Sequence, residues 1–319
     1  MCVSIARLAV VVVNRNSGEM LTECLDHVYE SRLNGTIHVI VVDNGSSDNS
    51  IQKATKKYPQ IEVIFNGKNL GFAAAVNRSI PLLRQSKFFL LVNTDAFLAP
   101  DCAQALMDVL ESHSRVGMVG PRLVNVDGTP QTSFEAIPTL ATETLNRSLL
   151  KKLFPKRYPG KTSKFNIPTQ VQGLIGAVVM IRVKAFLEVG GFDEDYFFFL
   201  EETDLALRMQ QKGWEIYHHP GTYAVHFQGA TANKMEVGAR IEFYRSRYVF
   251  FRKHYGLTPY MLLKAVQIAN LSLNVALLGL LTAATFGKNL KLTSRFSVKY
   301  GLWRWHVRGC PQGRGLPRD

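Results

Sequence analysis

Cysteine is scarce in this chain, and acid is nearly missing from its last quarter. The four cysteines among 319 residues (Cys2, Cys24, Cys102, Cys310) form no CxxC pair and no evenly spaced framework. That argues against a disulfide scaffold and for reduced thiols in a cytosolic compartment. A long apolar run near the start is also lacking. Leu8–Val13 is short and runs into Asn14-Arg15, too little for a signal-peptide core. No internal repeat is visible. From Arg245 to Asp319 one acid stands against 13 Lys/Arg, whereas residues 1–244 carry 25 Lys/Arg against 24 Asp/Glu. The first part is therefore near neutral, and the basic excess of the last quarter calls for an anionic partner, lipid headgroups or nucleic acid.

What is present is an alternation of apolar runs and helical stretches. At 46% hydrophobic content the chain can bury one large α/β core plus an appendage. LAVVVV (8–13) is apolar throughout, as a strand covered on both faces should be. A helix near 18–31 follows, then strand 37–43, a helix near 48–58, strand 61–65, one helix from Gly71 to Arg84, and strand 87–92. This order implies βαβ units and a mostly parallel sheet. A helix from Pro100 to Ser112 comes next, then a hairpin over 116–134 turning at Asp127-Gly128. Residues 135–170 read as a helix plus a mobile basic loop. Strand 171–182, helices 183–189 and 201–213, and short extended pieces 214–219 and 223–227 complete the sheet.

Several polar groups sit where such a sheet builds a site. Asn93-Thr94-Asp95 follows the run Phe88–Val92, and a carboxylate at a strand's carboxyl end suits a hard divalent cation shared with phosphate oxygens. Alone the triplet is also a turn or cap signal. Asp43 ends the second strand, where a carboxylate can hydrogen-bond a base or ribose. Asn69-Leu70-Gly71 opens a helix with small residues, which serve either close approach to phosphate or tight helix–sheet packing. Glu201, Glu202 and Asp204 crowd one helical first turn after the apolar plug Phe197–Leu200. Dipole complementation explains acids there, and the same dipole is expected to keep a general base ionised. His226, after Pro220-Gly221, is either structural or a second metal ligand.

Taken in order, VVVNRNS (11–17), VVDNGSSDNS (41–50), NLGFAAAVN (69–77), NTD (93–95), GGFDEDYFFFLEETDLALR (190–208), GW (213–214) and His226 resemble glycosyltransferase family 2, the inverting nucleotide-sugar enzymes of GT-A fold. FYRSRYVFFRKHYG (243–256) adds a likeness to the rhamnosyltransferase-like branch. The resemblance implies a Rossmann-like, mostly parallel sheet flanked by helices over residues 1–235. It implies a Mn²⁺ or Mg²⁺ ion on Asp95 and His226, with Glu202 at the base position beside Glu201 and Asp204. Donor contacts would come from Asn14, Arg15, Asp43, Asn69, Gly71, Asn93, Asp95, Gly176 and Ala177. Two departures stand out: Asn93 replaces the first acid of DxD, and Glu202 replaces the usual Asp. The implied donor is a dTDP- or UDP-sugar, with rhamnose suggested, and the implied acceptor a glycan or polyprenyl-linked hydroxyl in bacterial cell-envelope synthesis.

Residues 236–319 read as a basic helical extension. Residues 265–286 are uncharged, about a bilayer span. Gln267, Asn270 and Asn274 give them a polar stripe, and basic residues flank both ends. Interfacial docking or a helical hairpin, one true span, and an ordinary soluble helix all fit. An anionic membrane surface at the cytoplasmic, inner face of the plasma membrane is the expected partner, and nucleic acid is not, because the cations flank a long apolar helix. Rival functions are a nucleotidyltransferase, disfavoured by the single Gly and single cation in Asn14–Gly18, and a non-catalytic nucleotide-sugar-binding protein of the same fold.

Overall fold

In the computed structural model, which describes residues 8–145, 150, 152–154, 165–227 and 236–318, Leu8–Val13 lies inside a sheet with a core on each face. Leu8, Val10 and Val12 pack with Leu21, Leu25 and Leu106 on one side. Ala9 and Val11 pack with Ala73, Val76, Phe186 and Leu205 on the other. Side chains alternate across a strand, so burial of both sets is what an all-apolar run demands.

The strands are β1 (Leu8–Asn14), β2 (Ile37–Asp43), β3 (Glu62–Phe65), β4 (Phe88–Asn93), β5 (Ala96–Leu98), β6 (Val116–Val124), β7 (Phe134–Glu135), β8 (Thr169–Gln170), β9 (Gly173–Leu174), β10 (Val178–Arg182) and β11 (Glu215–His226). The helices are α1 (Met20–Tyr29), α2 (Ser50–Lys57), α3 (Phe72–Asn77), α4 (Ile80–Leu83), α5 (Cys102–Ser112), α6 (Leu140–Thr144), α7 (Val183–Glu188), α8 (Glu201–Gln211), α9 (Glu236–Tyr255), α10 (Leu257–Ala284) and α11 (Leu290–Val307). The sheet runs β3-β2-β1-β4-β10-β6-β11-β5, with β8 beside β11, while β7 and β9 form a separate pair. Pairs β2–β3, β1–β2, β1–β4 and β6–β11 are parallel, and β10 runs antiparallel to β4 and β6. The expected mixed, mostly parallel sheet is what forms.

Register fixes the site. Asn14 pairs with Asp43, and Val13 with Asn93, so β1, β2 and β4 end together on one edge. Ligands of open α/β sheets bind outside such carboxyl ends. On β4's other side the Asn93 N–H donates to the Ala177 carbonyl at 2.9 Å. His226 pairs with Ala96, and the Phe227 N–H donates to the Asp95 carbonyl at 2.9 Å.

Four element boundaries differ from expectation. The helix over 71–84 is two helices, because Pro81 has no N–H for Asn77 and is tolerated only in the first turn of α4. The 116–134 hairpin turns at Asp127-Gly128 (Gly128 φ +79°), but its return makes one bridge, Val124 to Pro130. Phe134-Glu135 pairs with β9 instead. The strand over 171–182 splits into β9 and β10 around Ile175–Ala177. The two pieces at 214–219 and 223–227 are one strand, the expected turn surviving as a bulge between His219 and Tyr223. Of the 135–170 segment, α6 supplies the helix, and much of the expected loop lies outside the described residues.

A third core joins Tyr196 and Leu200 to Ile241, Phe250, Phe251, Leu263, Leu271 and Leu302. The helical extension thus shares packing with the plug that precedes α8. Its longest helix, α10, begins at Leu257, ahead of the expected 265. The expected polar stripe divides: Gln267 is buried with Leu263 and Leu271, while Asn270 and Asn274 are exposed. Leu273, Leu277 and Leu280 stand on the open face, Leu280 at 72% exposure. α11 returns antiparallel along α10, with the Trp303 Nε1–H donating to Ser272 Oγ at 3.0 Å and the Phe296 ring against Gly279.

Candidate active site

At the end of β2, Asp43 is buried, its Oδ1 accepting from Asn14 Nδ2 (3.1 Å) and its Oδ2 from the Ser46 N–H (3.2 Å). Asn14 Nδ2 also lies 2.9 Å from both Ser46 Oγ and Ser50 Oγ, while its buried Oδ1 has no partner. Neighbouring Asn44 donates to Asn69 Oδ1 (2.9 Å) and to the Gly71 carbonyl (3.1 Å). Arg15 Nη1 donates to the Asn44 carbonyl at 3.2 Å. Asn14, Arg15, Asp43, Asn69 and Gly71 therefore form one hydrogen-bonded wall. Gly71 is required there: at φ +85°, a Cβ would lie 2.6 Å from the Phe197 ring and carbonyl.

Next to that wall, Ser17 Oγ donates to Thr94 Oγ1 at 3.0 Å and ties the first loop to the NTD turn. Asp95 and His226 meet across the β5–β11 pairing, with Oδ1 and Nε2 3.6 Å apart. That is too long for a hydrogen bond. His226 Nδ1 lies 3.1 Å from Gln131 Oε1, and Gln131 Nε2 donates to the His226 carbonyl. An Oε1 acceptor calls for a proton on Nδ1 and turns the Nε2 edge of the ring towards Asp95. Gln131 carries no sequence signal; it reaches His226 because the hairpin return folds under the end of β11. Among the described residues, no group of three His, Cys, Asp or Glu side chains converges to hold an ion.

Glu202 approaches from the other side. Its Oε1 accepts from the Gly176 N–H at 3.3 Å, and its Oε2 is buried without a partner. A Cβ at Gly176 would sit 3.3 Å from Oε1, so glycine permits this approach. Gly176 and Ala177 then link Glu202 to Asn93. The carboxylate is delivered by a strained kink: Phe199 (φ +74°) and Leu200 (φ +66°) are consecutive left-handed residues, each costing about 1–2 kcal/mol. The Ser246 hydroxyl, donating to the Phe198 carbonyl at 2.8 Å, and the Phe199–Phe243 ring contact hold it.

Burial, then Glu135, push the Glu202 carboxyl up to about 7. The expected dipole effect thus loses to desolvation, because a few tenths of a kcal/mol cannot offset removal from water. Glu201 is buried with an unpartnered Oε2, and burial followed by Glu202 holds it well above the usual carboxylate range. Both effects favour its neutral form. Asp204, also expected among the catalytic acids, is engaged in ion pairs. Its fully buried carboxylate contacts Arg208 Nε (2.6 Å), Lys253 Nζ (2.7 Å), His254 Nε2 (2.7 Å) and the Tyr196 hydroxyl (3.3 Å). Every oxygen is taken, so Asp204 anchors α8 to α9. Glu135, missed in the sequence, accepts from Thr203 Oγ1 at 2.9 Å beside the Glu202 helix start.

Comparisons with known proteins bear on the family and the fold. The family model described as glycosyl transferase family 2 matches residues 9–190, and one described as the N-terminal domain of galactosyltransferase matches 156–229. An N-acetylglucosaminyl-diphospho-decaprenol L-rhamnosyltransferase of Mycobacterium tuberculosis is 29% identical over 236 residues, covering 69% of this chain and 76% of that protein. A low-salt glycan biosynthesis hexosyltransferase of Haloferax volcanii is 26% identical over 248 residues, covering 76% and 74%. The mannosyltransferase of Pyrobaculum calidifontis, solved with GDP-Man and Mn²⁺, shares the fold at a TM-score of 0.52 and 14% identity, over 96% of this chain and 87% of that one. With the family model spanning more than half of the chain, and with the sheet shared with solved GT-A structures, this protein belongs to glycosyl transferase family 2 and is a glycosyltransferase of GT-A fold.

Proposed function

We propose that this protein transfers a sugar, rhamnose in the first instance, from a nucleoside-diphosphate donor to a hydroxyl of a lipid-linked glycan, with inversion, at the cytoplasmic face of the plasma membrane. The observation that carries it is the placing of Asp95, a His226 held by Gln131 and a high-pKa Glu202 around the carboxyl end of β4. The Mycobacterium tuberculosis relative supports the rhamnosyl donor and the polyprenyl-diphosphate acceptor.

In this reading Asp43 and Asn14 hold the nucleoside, and the Asn69–Gly71 loop lies along the donor. Asp95 Oδ1 and His226 Nε2 would hold Mn²⁺ or Mg²⁺, which would supply neutralisation of charge on the diphosphate leaving group. Two protein ligands fit such ions, which keep waters and substrate phosphates as their remaining ligands. Glu202 accepts the proton of the acceptor hydroxyl as that oxygen attacks the anomeric carbon from the face opposite the leaving diphosphate. One displacement inverts the centre. The neighbouring Gly176 N–H keeps Oε1 in place, which leaves Oε2 to take the proton.

Calorimetry with UDP tests the donor site. UDP binds the wild type more tightly with Mn²⁺ than without it, and Asp95→Ala and His226→Ala each remove that difference. Unchanged metal dependence in either variant takes that residue out of the site. Release of free sugar from the donor with Mn²⁺ separates a transferase from a mere nucleotide-sugar binder.

The exposed leucines of α10, bordered by Lys288, Lys291 and Arg295, support docking of the α10–α11 hairpin on an anionic bilayer. The protein is expected to float with phosphatidylglycerol vesicles and less with phosphatidylcholine vesicles, and Leu273→Ser/Leu277→Ser/Leu280→Ser releases it. Flotation of the triple variant at the wild-type level refutes docking by this face.

A further inference from the structure

Beyond α11 the chain folds back onto the catalytic unit. The Trp305 Nε1–H donates to the Pro311 carbonyl at 3.1 Å as the chain turns. It then crosses α9, where Arg245 Nη2 donates to the carbonyls of Gln312 (3.1 Å) and Arg314 (2.6 Å). The crossing is tight: a Cβ at Gly238 would meet the Gly315 carbonyl oxygen at 2.8 Å. Glu242, fully buried on α9, pairs with Arg245 and with Arg318, each at 2.6 Å. A buried carboxylate is tolerated only when it is paired, so Glu242 fixes where Arg318 must lie.

From that point the segment reaches two parts of the site. The Arg318 guanidinium lies 4.3 Å from the centroid of the Phe197 ring, within cation–π range. The Pro317 carbonyl accepts from Asn69 Nδ2 at 2.9 Å, and Asn69 Oδ1 in turn receives Asn44 beside Asp43. Phe197 is the residue against which Gly71 packs, and its carbonyl accepts from the Phe72 N–H at 2.8 Å. It also begins the Phe197–Leu200 plug, whose strained end delivers Glu202.

We propose that residues 311–318 are a strap that completes the sugar-transfer site from outside, with Arg318 as a positioning residue that presses Phe197 against the Asn69–Gly71 loop. The inference rests on the sugar-transfer reading above. It assigns the basic, Gly- and Pro-containing tail a role at the donor loop, distinct from the lipid contact of α10–α11. Arg318 touches no reacting atom; it acts through Phe197 and Asn69.

Arg318→Ala and Arg318→Lys in the 319-residue chain test it by donor kinetics with Mn²⁺ and by backbone hydrogen exchange. In Arg318→Ala the donor KM rises roughly tenfold while kcat changes less than about threefold. Exchange rises in residues 69–72 and 197–200 and stays at the wild-type level in β1 and β4. Lysine keeps a cation for Glu242 but lacks the planar guanidinium that covers the Phe197 ring, so Arg318→Lys restores only part of the donor KM. Unchanged KM with unchanged exchange in those segments overturns the strap. So does a uniform rise in exchange across the domain, which marks general destabilisation. A wild type that turns over no nucleotide sugar sinks the sugar-transfer reading instead, and the exchange at 69–72 and 197–200 then judges the strap by itself.

Discussion

Glu202→Gln lowers kcat by at least ~100-fold with little change in nucleotide affinity, because general-base catalysis supplies on the order of 10²–10⁴-fold. The amide preserves volume and can still hold the Gly176 N–H through its carbonyl oxygen, so loss of the base is isolated from loss of shape. The pH profile is the sharper readout. Burial and Glu135 push the Glu202 carboxyl up to about 7, and only the ionised form accepts a proton. The wild-type kcat/KM therefore rises with pH, reaches half its plateau near 7 and levels above it. Among the neighbouring acids Glu135 on β7 favours the neutral form of Glu202, while Glu242 on α9 acts on Glu201.

Stability moves the other way. Because the folded value of Glu202 lies above the ordinary 4.5, the folded state holds this proton more tightly than the unfolded chain. Its stabilising contribution is complete below 4.5 and is lost as pH rises through about 7. Thermal melts of Glu202→Gln are expected to lose that part of the pH dependence. A kcat within a few-fold of the wild type, or a profile that keeps its limb near 7, removes Glu202 as the base.

The second large effect is on folding. Asp204→Ala is expected to destabilise by about 3–5 kcal/mol, the cost of breaking a buried ion pair from one side. Arg208, Lys253 and His254 lose their shared carboxylate, and Lys253 retains Asp193 as its remaining acid. Burial raises the Asp204 carboxyl, but His254, Arg208 and Lys253 more than offset it and bring it to about 2. Its stabilisation is therefore present above the ordinary 3.8 and is lost as pH falls towards 2. Urea denaturation measures the loss, and turnover per folded molecule separates the two roles for this residue. A variant that folds normally and yet loses turnover would restore Asp204 to the catalytic set.

Much of the fold was legible because it rests on local pattern. The all-apolar run 8–13 demanded cover on both faces, and the run 88–92 before Asn93-Thr94-Asp95 announced a buried strand ending in polar groups. The misread boundaries fall where a long-range partner decides. Phe134-Glu135 left the hairpin for β9, and residues 215–226 stayed one strand because β5 and β6 both pair with it.

The order of strands, the polar residues at their carboxyl ends, the crowding of acids after Phe197–Leu200 and the basic last quarter were determined by the sequence alone, since each is a matter of composition or short-range period. Tertiary structure decided the rest. It brought His226 to Asp95 through β5–β11 pairing and set the His226 ring against Gln131. It also gave three neighbouring acids three fates: a Glu201 pushed towards its neutral form by burial, a Glu202 poised near 7 and an ion-paired Asp204. Those fates depend on burial and on charges from distant parts of the chain, and neither is a property of local sequence.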